Sequence, residues 1–274
     1  MDSTKMTTEM DSLKNKLRST WMAGDFGEIA RLYESSAREF VARIGLKPGD
    51  VVLDVACGTG NTAFPAARAG ANVTGIDIAP NLIEQAIARS SELGVDAEFD
   101  VGDAESMPYD DQSFDVVLTM FGAMFTPRPD ITAAELTRVC RTGGVIVMAN
   151  WTPEGFIGEM FKIMGKHVTP PAAMPSPLLW GSEGPVRQRF AHGISDLTMT
   201  RQTAVFTFDL GPKDLVEYFR MYYGPTNKAF EALDSEAQKS LRADLEHLWT
   251  DHNQATDGTT RVESEYLEIK AIRA

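Results

Sequence analysis

The stretch Val51-Val52-Leu53-Asp54-Val55-Ala56-Cys57-Gly58-Thr59-Gly60-Asn61 constrains this chain more than any other. A short apolar run breaks on two glycines separated by one residue. Such a run reads as a buried strand, and the glycines as a tight turn into a helix. Glycine has no Cβ, so the backbone at Gly58 and Gly60 can approach a ligand closely. Free N–H groups at the start of the following helix favour ligand oxygens. A strand, a bare turn and a helix in that order call for a parallel sheet to build on.

The neighbouring sequence supplies that sheet. Apolar runs at Ala71–Ile76, Ala97–Val101, Phe114–Met120 and Val145–Ala149 alternate with helical segments at Thr62–Ala69, Asn81–Leu93 and Asp130–Cys140. Gly143-Gly144 reads as the stop of the last helix. Right-handed crossovers turn this alternation into a doubly wound α/β sheet. Upstream, Trp21, Phe26, Ile29, Ala30 and Tyr33 recur at helical spacing, so residues 1–45 read as an N-terminal helical segment. Lys47-Pro48-Gly49-Asp50 breaks it. Residues 46–274 then form the main domain, with insertions at about 151–195 and 212–258 that cap the sheet. Further strands are expected at Thr203–Asp209 and Val262–Ile272.

Acids stand where the strands end. Asp54 lies four residues before Gly58, facing the loop, where it can bind a cationic group directly or through water and would repel a pyrophosphate. Asp77 closes the next strand in Val73-Thr74-Gly75-Ile76-Asp77-Ile78, placed to accept two hydrogen bonds from ribose hydroxyls. Asp103, after the third strand, could accept from an exocyclic adenine amine, with the Ala104 N–H donating to a ring nitrogen and Ile78 packing on the ring. The segment ending in Phe121 closes on the same crevice, because ligands of open α/β sheets sit at the carboxyl ends of the strands.

Composition narrows the partners. Lys and Arg number 26 against 39 Asp and Glu, a formal net charge of −13. Nucleic-acid binding rests on basic patches, so DNA and RNA are disfavoured. Neither a stretch of 18 apolar residues nor a secretory leader is present, so no membrane insertion and a cytoplasmic location are expected. Cys57 and Cys140 are the two cysteines and show no ligand spacing, so no metal is expected.

The strings VLDVACGTGN, VTGIDIAPNLIEQA, GDAESMPYDDQSFDVVLTMF and RTGGVIVMANW, in this order, resemble the class I S-adenosylmethionine-dependent methyltransferases, nearest to the branch acting on quinones, terpenoids and natural products. The resemblance covers residues 20–152. It implies a Rossmann-like sheet of seven strands, mostly parallel with an antiparallel last strand. It also implies S-adenosylmethionine as methyl donor and S-adenosylhomocysteine as product. Asp54, Ala56, Gly58 and Gly60 would hold the methionine moiety, Asp77 the ribose, and Ile78, Asp103 and Ala104 the adenine. Phe121 would line the path near the sulfonium. The N-terminal segment would close over the cofactor, and its helix is a candidate surface for homo-oligomer formation.

The acceptor is less legible. A sulfonium donor carries its own activation, so alignment and water exclusion suffice, with a general base only for some acceptors. An Asn-Pro-Pro-Tyr type motif is absent after the fourth strand, where the chain reads Thr119-Met120-Phe121-Gly122, which argues against adenine or glutamine N-methylation. Phe156, Met160, Phe161, Met164, Met174, Leu178, Leu179 and Trp180, with a second cluster from Tyr218 to Tyr223, suit a small, largely apolar acceptor methylated on carbon or oxygen. The same residues would also serve as a core for the cap. His167, in the cap, and Glu154, just after the fifth strand, are the candidate bases. Two other functions fit the same loop: an NAD(P)-dependent oxidoreductase, through Gly58-x-Gly60-x-x-Ala63 and Asp77, and a non-catalytic S-adenosylmethionine-binding protein.

Overall fold

The computed structural model describes residues 3–274, with side chains from residue 8 onward; Met1 and Asp2 of the N-terminal segment lie outside the described residues. Three helices come first, α1 (Ser3–Trp21), α2 (Phe26–Arg31) and α3 (Glu34–Ile44). The alternating part follows as β1 (Val51–Val55), α4 (Ala63–Arg68), β2 (Asn72–Asp77), α5 (Pro80–Leu93), β3 (Glu98–Val101), β4 (Phe114–Met120), α6 (Pro129–Val139) and β5 (Cys140–Trp151). The remainder is α7 (Phe156–His167), α8 (Glu183–Arg189), β6 (Ile194–Phe208), α9 (Pro212–Tyr222), α10 (Gly224–Glu231), α11 (Ser235–His252) and β7 (Thr260–Arg273).

The seven strands form one sheet in the order β3-β2-β1-β4-β5-β7-β6. Pairs from β3 through β5 are parallel, and β7 runs antiparallel to both β5 and β6. The fold is therefore the expected Rossmann-like mixed sheet with an antiparallel last strand. The order in which strands are added reverses between β1 and β4, which run parallel. That switch point opens a crevice at the carboxyl ends of the strands. β1 lies against two partners, and Val52, Leu53, Asp54 and Val55 are all fully buried, which is why the segment reads as almost continuously apolar.

Several expectations shift. The recurrence from Trp21 to Tyr33 does not make one helix: α1 ends at Trp21, and Asp25 caps a new helix by accepting the Gly27 N–H at 3.0 Å. Gly143-Gly144 does not stop a helix. Cys140 already begins β5, and Gly143, at φ 74°, lies in a stretch where the register with β4 slips between Phe114 and Val116. β6 starts at Ile194, well before Thr203, because its first half is an exposed, mostly polar edge that carries no apolar period. Residues 152–193 make the crossover from β5 to β6, while 209–259 are interposed between the antiparallel partners β6 and β7.

The core runs the length of the sheet without a break, from Ile29 and Phe40 through Leu53, Leu118 and Ile146 to Trp249 and Ile269. Gly75 is the tight point beneath the site. It pairs with Asp54, and a Cβ there would meet Phe99 Cδ1 at 2.7 Å and Cys57 Sγ at 2.9 Å. Overfilling a packed layer costs about 1–3 kcal/mol. Gly75→Ala should therefore lower stability by about that much in urea denaturation; an unchanged midpoint would show that Phe99 yields freely.

Candidate functional site

The end of β1 turns sharply. Ala56 adopts φ 54°, Gly58 φ 53° and Gly60 φ 87°, and across the crevice Phe121 adopts φ 63° after β4. Left-handed backbone at two non-glycine residues costs energy and persists where the surroundings enforce it. Here the two turns brace each other: a Cβ on Gly122 would lie 2.5 Å from both the Cβ and the carbonyl oxygen of Ala56. The two loop glycines differ in role. A Cβ on Gly58 would meet Phe26 at 3.5 Å across the crevice, while one on Gly60 would strike the Phe64 ring at 2.6 Å. Gly58 thus leaves room for a ligand, and Gly60 lets the next helix pack.

Around this turn lies a crevice with about 990 Å³ of free space, its solvent-open part included. Of the nine residues expected to hold a cofactor, Ala56, Gly58, Asp77, Ile78, Asp103, Ala104 and Phe121 line it, and Asp54 and Gly60 do not. Asp54 sits below the floor, fully buried. Its Oδ2 accepts the Thr62 hydroxyl at 2.6 Å, and its Oδ1 has no partner among the described residues. Burial pushes its carboxyl up to about 7, against the Thr62 bond and with help from the charge of Asp77. A cation held above the loop would relieve this acid.

Asp77 links two elements. Its Oδ2 accepts the Gly58 N–H at 2.9 Å and its Oδ1 the Ala79 N–H at 2.9 Å. Burial raises its carboxyl too, and these backbone donors oppose the shift. Each oxygen keeps a lone pair for a further donor. Arg89 of α5 holds the other side of the turn. Its Nη1 donates to the Thr59 carbonyl and hydroxyl and to Asn61 Oδ1 at 2.9–3.0 Å, and its Nη2 pairs with Glu34 at 2.6 Å. At the far end, Asp103 accepts the Glu105 N–H at 2.9 Å and pairs with Lys14 of α1. Lys14 also reaches Glu105, 2.6 Å away, whose buried carboxylate takes Arg128 Nε at 2.7 Å. Lys14, Leu17 and Trp21 present one face of α1 to the crevice.

A second space adjoins the first, with about 450 Å³ free, its open part included. Trp21, Phe26, Tyr33, Phe121 and Phe125 line both. Beyond this seam its walls are Ile29, Leu32, Trp151, Ile157, Met160, Phe206, Phe219 and Tyr223. Phe121 stacks on Trp151 at 3.6 Å between centroids and closes the back of the seam. Of the expected cap residues, Met160 of the first cluster and Phe219 and Tyr223 of the second reach this space, whereas Phe156, Met164, Leu178 and Trp180 are buried in the core.

Neither candidate base lines either space. His167, at the end of α7, pairs with Asp244 of α11 at 2.7 Å. Glu154 is exposed and lies 3.7 Å from Arg201. Among the described residues no group of three or more His, Cys, Asp or Glu could hold a metal ion, and no helix is long and apolar enough to cross a membrane. Lys14, Thr62, Arg89 and Phe125 were not singled out in the sequence. No local motif marks them: Lys14, Arg89 and Phe125 are defined by partners remote in the chain, and Thr62 by the Asp54 carboxylate across the turn. Tyr33 appeared only as one position of an apolar helical face.

Comparison with known proteins gives these features a context. The profile described as a methyltransferase domain matches residues 52–144. An uncharacterised protein of Mycobacterium tuberculosis is 38% identical over 247 residues, 88% of this chain and 90% of that one. The 2-methyl-6-phytyl-1,4-hydroquinone methyltransferase of Synechocystis is 42% identical over 141 residues, 47% of this chain and 43% of its own. Among solved structures, a Haemonchus contortus phosphoethanolamine N-methyltransferase with S-adenosylhomocysteine bound superposes with a TM-score of 0.55 at 19% identity, covering 87% of this chain and 52% of that one.

The buried acid gives a pH test. The folded chain holds the Asp54 proton more tightly than the unfolded one, whose carboxyl titrates near 3.9. Its contribution is therefore full below that value and fades as pH rises through about 7. Asp54→Asn keeps an acceptor for Thr62 and removes the titration. Between pH 5 and 8 the wild type should lose stability relative to Asp54→Asn by on the order of 3 kcal/mol in denaturant titrations without ligand. Parallel pH curves would contradict the buried charge.

Proposed function

This chain belongs to the class I methyltransferase family, and we propose that it transfers a methyl group from S-adenosylmethionine to a small, largely apolar acceptor, on carbon or oxygen, of the quinone or natural-product type. One observation carries the reading. Two buried acids, Asp54 and Asp77, flank a left-handed glycine turn, and one of them keeps an unpaired oxygen. That environment attracts a cation. The sole basic residue lining the crevice, among those described, is Lys14, already engaged by Asp103 and Glu105. A dinucleotide pyrophosphate would find acids and no free cation.

The residues fit the donor at each part. Gly58 leaves the room that a side chain would take, and Ala56 turns the backbone toward the crevice. Asp54 acts from below through its field and through Thr62, favouring the ammonium end. Asp77 accepts from ribose hydroxyls with the lone pairs its backbone donors leave free. Ile78 and Leu82 offer apolar surface to the adenine ring. Asp103 and Ala104 meet the ring's polar edge, with Asp103 steadied by Lys14. Bound there, the donor supplies a methyl group on a sulfonium, activated toward a nucleophile without help from the protein. The chain contributes alignment and dryness. Phe121, Trp21 and Phe125 wall the seam where donor and acceptor spaces meet and keep water out.

The N-terminal segment, 1–45, serves as the closing element, and the methyltransferase domain spans 46–274. Helices from about 151–195 and 212–258 supply part of the acceptor walls through Ile157, Met160, Phe219 and Tyr223. The family resemblance and the acidic crevice favour this reading over the oxidoreductase one.

S-Adenosylhomocysteine should raise the melting temperature in a saturable way, and NADH should not. Stabilisation by NADH alone would overturn the proposal. Asp77→Ala should weaken S-adenosylhomocysteine binding by at least about tenfold in calorimetry, since hydrogen bonds to a charged group are worth about 1.5–3 kcal/mol each. Unchanged affinity would misplace the ribose. Radiolabelled methyl appearing in a small-molecule extract would separate an enzyme from a binding protein.

A further inference from the structure

Resting on the methyl-transfer reading above, we propose that Tyr33 and Tyr223 form a pair of hydroxyl clamps that hold the oxygen of a neutral, ring-containing acceptor. Tyr33 joins α2 to α3, and Tyr223 joins α9 to α10. They come from opposite ends of the chain and meet at one space. Tyr33 lines both the crevice and the aromatic cavity, and Tyr223 lines the cavity. Phe26 sits between them, 6.4 Å from each ring by centroids.

Both residues are buried, at 9% and 7% exposure, yet neither hydroxyl has a hydrogen-bond partner among the described residues. Nor is either oxygen among the sealed, unpaired polar atoms, so each opens onto free space. Two hydroxyls that open onto an apolar space and have no protein partner among the described residues are free to pair with an incoming oxygen. The other eleven walls of the cavity are hydrocarbon, thioether or indole side chains. Among the described residues, no carboxylate, ammonium or imidazole lines it. A charged head group would lose its water there without compensation. The favoured ligand is therefore a flat apolar ring system bearing an oxygen for the two hydroxyls.

The phenols are donors, not bases. Burial raises both far above the ordinary tyrosine range, and the proximity of Tyr223 raises Tyr33 further. Each keeps its proton at any working pH and can donate to an acceptor oxygen or accept from its O–H. Their role is to position: they set which edge of the ring faces the seam at Phe121.

The test compares 1-naphthol with naphthalene, its twin without the hydroxyl, by equilibrium dialysis with and without S-adenosylhomocysteine. Wild-type protein should retain 1-naphthol about tenfold more tightly. Tyr33→Phe and Tyr223→Phe keep the rings and should each cut that preference several-fold, and the double variant should abolish it. Tyr218→Phe, whose hydroxyl reaches the Glu28 carbonyl at 3.4 Å outside the cavity, should leave the preference intact. Equal retention of the two probes by wild type, retention of neither, or a preference surviving in the double variant would overturn the clamp. Melting curves of each variant serve as the check that it is folded. If S-adenosylhomocysteine fails to stabilise the wild type while the naphthol preference holds and disappears in the Phe variants, the methyl-transfer reading falls and the clamp stands.

Discussion

The carboxylate of Asp77 is the point on which the site depends. It takes one backbone N–H from the turn after β1 and another from the start of α5, each at 2.9 Å. Without it, the tips of two adjacent parallel strands would leave buried donors unpaired, and the glycine turn would have no fixed shape. Charge-assisted bonds to backbone are the strong ones, so a single side chain can set the geometry of a whole loop. Arg89 completes the work from the other side by binding Thr59 and Asn61. The turn is thus held rigid before any ligand arrives, which spares a ligand the cost of ordering it.

That rigidity has an electrostatic consequence. Fixing Asp77 near Asp54 puts two acids in a buried layer with little compensation. An isolated buried charge is costly, and Asp54 answers by holding its proton to about 7. The crevice is therefore poised for a positive group. At its other end the opposite holds. Glu105, also buried, is matched by Lys14 and Arg128, so that region is neutral and tied to α1. One crevice has an uncompensated acidic half and a balanced half.

The aromatic seam shows how function can depend on chain segments that look unrelated. Trp21 ends α1, Phe125 follows β4, and Tyr223 follows α9, yet Trp21 meets Phe125 at 4.9 Å and Tyr223 at 6.1 Å by centroids. Gly24 and Gly224 allow this approach: a Cβ on Gly24 would lie 2.6 Å from the Tyr222 carbonyl oxygen, and one on Gly224 2.0 Å from that of Thr20. The N-terminal helices are thereby packed against α9 and α10 as one wall of the cavity.

What the sequence by itself determined was local and periodic. The strand β1, the glycine turn, the acid at the tip of β2 and the strand β4 were legible at their true places, because buried parallel strands and glycine turns write themselves into consecutive residues. The family and the sheet with its antiparallel last strand followed from four ordered strings. Tertiary structure alone decided the pairings. Lys14 meets Asp103 across 89 positions, and nothing near either residue announces the other. Asp54 reads as a ligand-facing acid, yet the packing of β1 between two neighbours seals it under the floor. His167 sits in the helical cap but turns to Asp244. Tyr33 and Tyr223 gain a shared role only when remote segments close on one space. The physical reason is that a strand or turn is set by its own few residues, whereas a pocket is made of side chains whose proximity comes from chain closure and from which face each helix buries.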